Sequence, residues 1–538
     1  MSLTSPFLVS ASFHVQQRES LQEIESRYYN GTDRATLQNL VKAFKGIQEL
    51  PPNNPDSFYS IAGFHGEPFR GTGEPQPWWG GYCHHADVLF PMWHRAYLLR
   101  FEDALRKVPG CENVRLPFWD ELLNYGTAEP PIPAILTSPT FEGQPNPLYS
   151  YRLQRAFGYN ERYAKPVNYE TVRYPLSGLV GTEADRKDSE VHNARFVSQA
   201  ERVQILNGNV GNWLSGNVDI PDDGSGTPRP QDVTSVYERL LKCLAAPNYT
   251  VFSNTTSQND HNTDRSSSDT IAVSLESPHN SIHLAVGGFY QKGVYSASPI
   301  LGANGDMGAN EVAGFDPIFF LHHCYIDYAF WIWQRVHGHT AVGSIEFDDK
   351  YAGTSTDTSL PVPEGAPPMP AGTPLTLDTP LYPFLKADAR TYFASKDLVD
   401  IKEQLGYDYG RGSLDPVVAG TLRGIPSDEV PIMQKISGID RRDYLGSFVV
   451  RLYGHNANNE RVEVGREAVL SRLKLSDCAN CQNSLEQEFY IPVHRDLIPY
   501  LVKEEGDDTK FRTVVGIQTY DGEKFPTERG KVPIVATM

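Results

Sequence analysis

The sequence lacks long apolar runs and is poor in cysteine. No segment reaches the roughly 20 apolar residues of a membrane-spanning helix, and the N-terminus "MSLTSPFLVSASFHVQQRES" has no basic region followed by an apolar stretch, as a secretory signal would. Only 6 cysteines are scattered over 538 residues, which excludes a disulfide framework and agrees with a reducing compartment. We therefore expect a cytoplasmic or otherwise intracellular protein that has no membrane anchor.

Basic residues are also scarce. The 48 Lys and Arg residues face 66 Asp and Glu residues, and the resulting net charge of -18 opposes binding to nucleic acid or to anionic lipid surfaces. Hydrophobic residues make up 40% of the chain, enough for a folded core. Because a single core rarely exceeds roughly 250 to 300 residues, we expect one large domain and one smaller domain.

Three predicted helices begin with proline. The segments "FPMWHRAYLLRFEDALRKV", "LESPHNSIHLAVGG" and "FDPIFFLHHCYIDYAFWIWQRV" have apolar residues at helical spacing, and their first turns contain Pro91, Pro278 and Pro317. Beyond residue 430 the pattern changes to short runs of β-forming residues separated by turns, such as "GSFVVRLYGH" and "FRTVVGIQTYDG". The sequence predicts a mainly α domain over residues 1–390, a linker over 391–429 and a small β-sandwich over 430–538.

Histidines cluster near the starts of these helices. His279 and His283 are four residues apart, so they share one face of a helix and can reach the same ion. His323 lies in an apolar helix, where an imidazole without a partner would cost free energy. His85 and His94 bracket another apolar run, with His65 upstream. A single buried histidine is usually a hydrogen-bonded core residue, but two sets of three indicate a metal site.

The residue types around the histidines favour redox chemistry over hydrolysis. Histidine alone leaves zinc, copper, iron and nickel open. A zinc protease helix would have glutamate directly after its first histidine, where this sequence has Asn280. No carboxylate occupies a bridging position beside these histidines. A neutral set of imidazoles suits copper, and a zinc hydrolase remains the alternative.

The motifs together resemble those of the type 3 copper proteins, most closely the fungal tyrosinases. The resemblance is carried by "GFHGEPFR", "YCHHADVLFPMWHRAY", "LPFWDE", "ESPHNSIHLAVGG" and "FDPIFFLHHCYID", in the order of the family. It implies a four-helix bundle core that holds two copper ions, one bound by His65, His85 and His94 and the other by His279, His283 and His323. His84 and His322 are the neighbours that the resemblance leaves out of both sets.

Further roles follow from the resemblance. It implies a thioether bond between Cys83 and His85, which would fix one ligand. Asp327, four residues after His323, is expected to fix the tautomer of an imidazole from outside the metal site. Phe319 matches an aromatic residue that lies over the second copper.

The implied activity is the oxidation of o-diphenols to o-quinones with O2 as co-substrate and the ortho-hydroxylation of monophenols, for melanin-type pigment formation. Glu276 and Asn280 occupy the positions at which the hydroxylating members hold a water molecule as a base, although acids and amides are also common in first turns. This favours a tyrosinase acting on tyrosine, dopa and catechols over a catechol oxidase or a hemocyanin-like O2 carrier. The sequence is also compatible with a homo-oligomer.

The C-terminal part contains a C-x-x-C motif. Cys478 and Cys481 in "SDCANCQN" could bind Cu(I), contribute to a zinc site or form a redox disulfide. The resemblance implies a domain that covers the copper pocket, a role of the motif in copper loading, and an aromatic plug. The equivalent stretch offers only aliphatic residues, such as Val469 and Leu470. The resemblance also places a proteolytic activation site of a latent form after Tyr407 and Tyr409, within about residues 411–428.

Overall fold

The computed structural model describes most of the chain. The described residues are 15–66, 81–158, 162, 164–216, 234–264, 271–289, 305–363, 365–420, 432–473, 475, 480–482, 484–504, 507–520, 522–527 and 532–537. Cys478 and the second half of the expected activation segment, including Arg423, lie outside the described residues.

The α-helices of the described residues all lie before residue 419. Within the described ranges they number thirteen: α1 (Leu21–Asn30), α2 (Ala35–Glu49), α3 (Phe58–Ala62), α4 (Phe90–Arg106), α5 (Ala134–Thr137), α6 (Glu183–Asn193), α7 (Gln199–Ser215), α8 (Val236–Cys243), α9 (Tyr249–Ser253), α10 (Thr255–Asp264), α11 (Glu276–Gly287), α12 (Ile318–His337) and α13 (Asp415–Val418).

The longer β-strands follow the helices. The strands of the described residues are β1 (Gln16–Arg18), β2 (Thr140–Phe141), β3 (Gln144–Pro145), β4 (Pro380–Leu385), β5 (Tyr392–Ala394), β6 (Tyr407–Tyr409), β7 (Ile432–Asp440), β8 (Phe448–His455), β9 (Arg461–Val469), β10 (Glu486–Val493), β11 (Lys503–Glu504), β12 (Asp507–Phe511), β13 (Thr513–Thr519), β14 (Gly522–Lys524) and β15 (Ile534–Thr537).

Helices α4, α11 and α12 form the interior of the helical unit. Each has a proline at or next to its first turn, where a backbone N–H would have no partner within the helix. Every residue of α12 from Ile318 to Gln334 is buried, so this helix is surrounded on all sides. It packs against α4, while α11 packs against α7 and α8. Gly288 ends α11 in a left-handed conformation with φ 113°.

The helical unit continues beyond the predicted boundary at residue 390. Strand β5 pairs with β4, and β6 pairs in parallel with β1 near the N-terminus. Leu398, Ile401 and Leu414 are buried in the same core as the central helices. Residues 392–418 are therefore part of the first unit and not a linker. Composition did not predict this, because the segment resembles coil and only the fold shows that its apolar side chains pack on the core.

The C-terminal unit is built from β-strands, as predicted. One antiparallel sheet has the strand order β10-β7-β15 and another has the order β14-β13-β8-β9. Side chains from both sheets, such as Ile436, Phe489, Val450 and Ile517, share one hydrophobic core, which is the arrangement of a β-sandwich. Strand β9 also packs against α11. The sheet edge thus lies directly over the helix that carries His279 and His283.

Candidate metal centre

The first group of histidines contains His65, His85 and His94, and one ring nitrogen of each lies within 4.8 Å of the others. His65 follows α3, His85 precedes α4 and His94 lies in its first turns. The Nδ1 atoms of His65 and His94 lie 3.1 and 2.8 Å from the carbonyl oxygens of Asn310 and Phe90. A carbonyl only accepts, so these Nδ1 atoms carry the proton and Nε2 presents a lone pair.

The Nε2 atoms of this first group are buried and have no hydrogen-bond partner. Three such lone pairs directed into the interior would be costly without a cation. They fit a metal ion that accepts nitrogen ligands.

The second group joins α11 to α12. His323 Nε2 lies 3.3 Å from His279 Nε2 and 3.2 Å from His283 Nε2. The Nδ1 atom of His283 lies 2.9 Å from the Met307 carbonyl oxygen, and that of His279 lies 3.0 Å from Asn280 Oδ1. These acceptors hold the protons on Nδ1, so the Nε2 lone pairs of both rings point toward His323. This arrangement also fits a metal ion.

All six predicted ligand histidines are held neutral by their surroundings. Burial, reinforced by the neighbouring imidazoles, lowers the pKa of each ring, and that of His94 falls to about 3. Neutral imidazole is the form that binds metals. Neither group includes a carboxylate among the described residues, so the donor set consists of imidazoles and suits copper as well as zinc.

The two groups lie side by side. The ring centroids of His94 and His323 are 4.6 Å apart, and those of His85 and His279 are 5.6 Å apart. Phe319 contacts both groups, since its ring centroid lies 4.0 Å from that of His323 and 4.8 Å from that of His65. Two ions bound here would be close enough to act on one small molecule.

The structure places a fourth imidazole, that of His322, in the second group. The sequence resemblance sets this residue aside together with His84. His84 differs from His322 because it belongs to neither group of histidines. Its Nδ1 lies 2.8 Å from Asp87 Oδ2. The sequence signal available for His322 was its position in an apolar segment of a helix, next to a predicted ligand.

Asp327 does not have the predicted role. Its Oδ1 accepts a hydrogen bond from Arg95 Nε at 2.6 Å, and its Oδ2 accepts from the hydroxyls of Tyr407 at 2.8 Å and Tyr409 at 2.5 Å. Arg18 lies 3.5 Å away. Within the described structure the carboxylate contacts no imidazole. The buried guanidinium group of Arg95 requires a countercharge, and Asp327 supplies it, whereas Arg18 lies closer to Glu102, at 3.0 Å.

Glu276 and Asn280 line one cavity with His85, at the boundary of the two units. Both oxygens of Glu276 accept from the backbone N–H of Ala86, at 3.0 and 3.1 Å, and Oε2 also accepts from Thr255 N at 2.9 Å. Burial nevertheless raises the pKa of Glu276 above its ordinary value. The carboxylate is thus held in place and is more basic than an exposed one.

The C-terminal unit closes this cavity. Val469 and Leu470, the aliphatic residues noted in the sequence, line it. Phe489 and Tyr490 of β10 also line it. The sequence resemblance did not predict them, because it places the aromatic plug before the C-x-x-C motif and these residues follow the motif. Cys481 lies on the same cavity and is disulfide-bonded.

Cys83 is buried, lies on the same cavity and is not part of a disulfide. Burial raises its pKa to about 11.

In the part of the chain that the structure describes, every helix is too short or too polar to cross a membrane.

Comparison with known proteins identifies relatives of the chain. Residues 55–336 match the model of the common central domain of tyrosinase. The tyrosinase HcTyr2 of Hahella sp. is 43% identical over 90% of this chain and 89% of its own length, and a tyrosinase of Aspergillus oryzae is 38% identical over 90% and 91%. The solved tyrosinase of Burkholderia thailandensis at low pH superposes with a TM-score of 0.76 at 40% identity, covering 93% of this chain and 94% of that chain.

A second solved structure supports the architecture. The holo-protyrosinase of Aspergillus oryzae superposes with a TM-score of 0.63 at 19% identity, covering 97% of this chain and 95% of that chain. At this identity the likeness concerns the fold, a helical unit followed by a β-strand unit. The relatives therefore include bacterial as well as fungal proteins.

Proposed function

The chain belongs to the tyrosinase family, whose members are type 3 copper enzymes that act on phenols, and on that premise we propose that it hydroxylates monophenols and oxidises o-diphenols to o-quinones with O2. The observation that carries the proposal is the pair of adjacent imidazole groups with unpartnered or converging Nε2 atoms. Copper bound there would supply one-electron redox chemistry by cycling between two oxidation states.

In this proposal each group holds one ion. His65, His85 and His94 would bind the first copper, and His279, His283 and His323 the second. Phe319 packs against rings of both groups and limits their movement.

A thioether between Cys83 and His85 is part of the proposal. Four of the six proposed ligand rings are held by a hydrogen bond at Nδ1 in the described structure, whereas the rings of His85 and His323 are not. A covalent bond to Cys83, which lies two residues away and is not in a disulfide, would supply the missing constraint. The link forms a C–S bond, with loss of one hydrogen from sulfur and one from the ring, and O2 would take up both electrons.

The step that separates a tyrosinase from a catechol oxidase is deprotonation of the monophenol. A free phenol has a pKa near 10 and is almost wholly protonated at neutral pH. We assign the base to a water molecule held between Glu276 and Asn280, because both residues line the cavity that contains His85. The raised pKa of the anchored Glu276 supports this assignment.

The intact chain is proposed to be latent. Residues up to about 420 would form the catalytic unit and 432–537 the shield, since strand β9 packs on α11 and closes the cavity. Related solved structures are named as pro-tyrosinases. Arg411 is exposed just after β6 and is therefore a suitable cleavage point.

The proposal is tested on the full chain, first loaded with copper and then treated briefly with trypsin. We expect two copper ions per chain, cleavage near Arg411 or Arg423, and a sharp rise in quinone formation from both tyrosine and dopa. Turnover of dopa alone would indicate a catechol oxidase. Reversible O2 binding without phenol turnover would indicate a carrier. Failure to retain copper would refute the proposal, and an unchanged rate after cleavage would refute the shield.

A further inference from the structure

We propose that the buried ion pair between Lys165 and Asp306 positions the ring of His283 through the Met307 carbonyl group. Lys165 and Asp306 are positioning residues, because they act from outside the second group of histidines on the orientation of one of its rings. The inference rests on the proposed binding of copper and adds to it the residues that orient one ligand.

The Met307 carbonyl group determines which nitrogen of His283 can bind a metal ion. Its oxygen lies 2.9 Å from His283 Nδ1 and only accepts, so the proton stays on Nδ1 and the lone pair on Nε2. His283 Nε2 lies 3.2 Å from His323 Nε2, within the second group. The direction of this lone pair therefore depends on where the Met307 peptide lies.

The Met307 peptide belongs to a short 3₁₀ turn, Asp306–Gly308, which packs against α11. A side chain on Gly287 would place its Cβ 2.2 Å from the Gly308 backbone, so the helix and the turn meet with no side chain between them. Gly287 lies four residues after His283, about one turn further along the helix. The turn thus presents its acceptor to the ring from a backbone contact that leaves no room for a second arrangement.

The Asp306 carboxylate ties this turn to the segment before α6. Its Oδ1 lies 2.8 Å from Lys165 Nζ, and both side chains are at most 2% exposed. Its Oδ2 accepts from the Tyr169 hydroxyl at 2.7 Å and from the backbone N–H of Val172 at 2.8 Å. Lys165 also donates to the Gly178 carbonyl oxygen at 2.6 Å. The first residue of the turn is therefore held by partners from a single segment.

Stability alone does not explain a buried lysine at this place. Lysine is almost never fully buried unless it is paired, and the loss of hydration offsets most of the attraction within a buried ion pair. Apolar residues of similar volume are often as stabilising as such a pair. Fixing one position of the turn does explain the pair, because the charge of Lys165 holds Asp306 in the geometry that brings the Met307 carbonyl to His283.

The test measures Cu(I) affinity one group at a time, with the apo full-length chain titrated against a chromogenic chelator of known affinity. His94→Ala leaves the second group intact, and His323→Ala leaves the first. Lys165→Met is introduced into each background. We expect the affinity to fall at least about fivefold with His94→Ala and to stay unchanged with His323→Ala. Loss of a partner bonded directly to a ligand typically costs about 10–100-fold.

Arg115→Met is the control for a general loss of stability. Arg115 forms an ion pair with the buried Glu102 at 2.8 Å, and neither residue belongs to a group of metal-ligand atoms. We expect Arg115→Met to bind both ions as tightly as the wild type. Asp306→Asn keeps an oxygen acceptor for the Val172 N–H and should lower the affinity of the second group in the same direction as Lys165→Met.

The outcomes separate this inference from the proposed function. If the wild type binds two ions and Lys165→Met leaves the affinity of the second group unchanged, the inference is wrong while the proposed function stands. Equal losses in both backgrounds, or in Arg115→Met, would also overturn it. If the wild type binds no copper, both fail. Should Lys165→Met not fold, judged by the circular dichroism of the apo protein, Asp306→Asn gives the answer, and an unchanged affinity of the second group would overturn the inference.

Discussion

Arg239 of helix α8 and Glu467 of strand β9 form a buried ion pair that joins the helical unit to the C-terminal unit. Ser277, in the first turn of α11, completes the contact: its hydroxyl donates to Glu467 Oε1 at 2.7 Å and accepts from Arg239 at 2.6 Å. The strand that closes the cavity is thus fixed beside Glu276 by charge as well as by packing.

Replacing Glu467 with glutamine should loosen the shield. Removing one partner of a buried pair typically costs about 3–5 kcal/mol, because the remaining charge stays buried. We expect the uncleaved variant to oxidise dopa several-fold faster than the uncleaved wild type. After trypsin treatment the two proteins should have the same rate, because the pair no longer matters once the shield is removed. Equal rates before cleavage would show that the pair does not hold the cavity closed.

Loss of a proposed ligand should remove one ion. We expect His94→Ala and His323→Ala each to lower the copper content by about one ion per chain and to abolish phenol oxidation, measured by elemental analysis and quinone absorbance. His192→Ala is the control, because His192 is buried but bonds Pro175 O at 2.7 Å, outside both groups. Retained activity in either ligand variant would contradict the ligand set.

Variants of the proposed base should separate the two activities. We expect Glu276→Gln or Asn280→Asp, assayed after shield removal, to lower the ratio of tyrosine to dopa turnover by at least about tenfold, since a general base contributes about a hundredfold or more. Aspartate at position 280 keeps an oxygen acceptor for His279 Nδ1, so the ring should stay in place. An equal fall on both substrates at unchanged copper content would assign these residues a supporting role.

The thioether can be detected by mass. After copper loading in air, we expect a peptide that contains Cys83 and His85 to be lighter by two hydrogens and to resist alkylation after denaturation. Cys111 is also a free, buried thiol and should alkylate fully in the same sample. Complete alkylation of Cys83 would refute the link.

The stability of the protein should depend on the ionisation of Asp120. Burial raises its pKa from 3.8 to about 6, with a smaller contribution from Glu121 and Asp415, while hydrogen bonds from Ser413 oppose the change. The pKa of Asp120 is higher in the folded state than in the unfolded state, so the protonated carboxyl favours folding. This contribution to stability is complete below pH 3.8 and is lost as pH rises through 6. The difference between these two pKa values corresponds to about 3 kcal/mol of unfolding free energy.

Asp120→Asn should therefore gain stability relative to the wild type as pH rises from about 4 to 7, measured by thermal unfolding at a fixed scan rate. Asp388→Asn is the control, because the pKa of this exposed carboxyl is lowered to about 2 by hydrogen bonds from Thr391 and Arg390. A constant difference between Asp120→Asn and the wild type across this range would contradict the assignment.

Local sequence patterns determined much of this protein. The four-residue spacing of His279 and His283 follows from helix geometry, and the prolines of α4, α11 and α12 mark helix starts because a first turn needs no N–H from them. The runs of alternating residues after residue 430 predicted a β unit, because successive side chains of a strand point to opposite faces and only one face is buried.

Only the tertiary structure decided which of these side chains meet. His84 and His322 have the same local context, yet only His322 lies in a cluster, where its ring contacts Glu121, 201 residues away in sequence. Asp327 was expected near an imidazole and instead neutralises Arg95. Periodicity specifies the face of a helix, whereas ring orientation and charge pairing depend on residues brought together from distant parts of the chain.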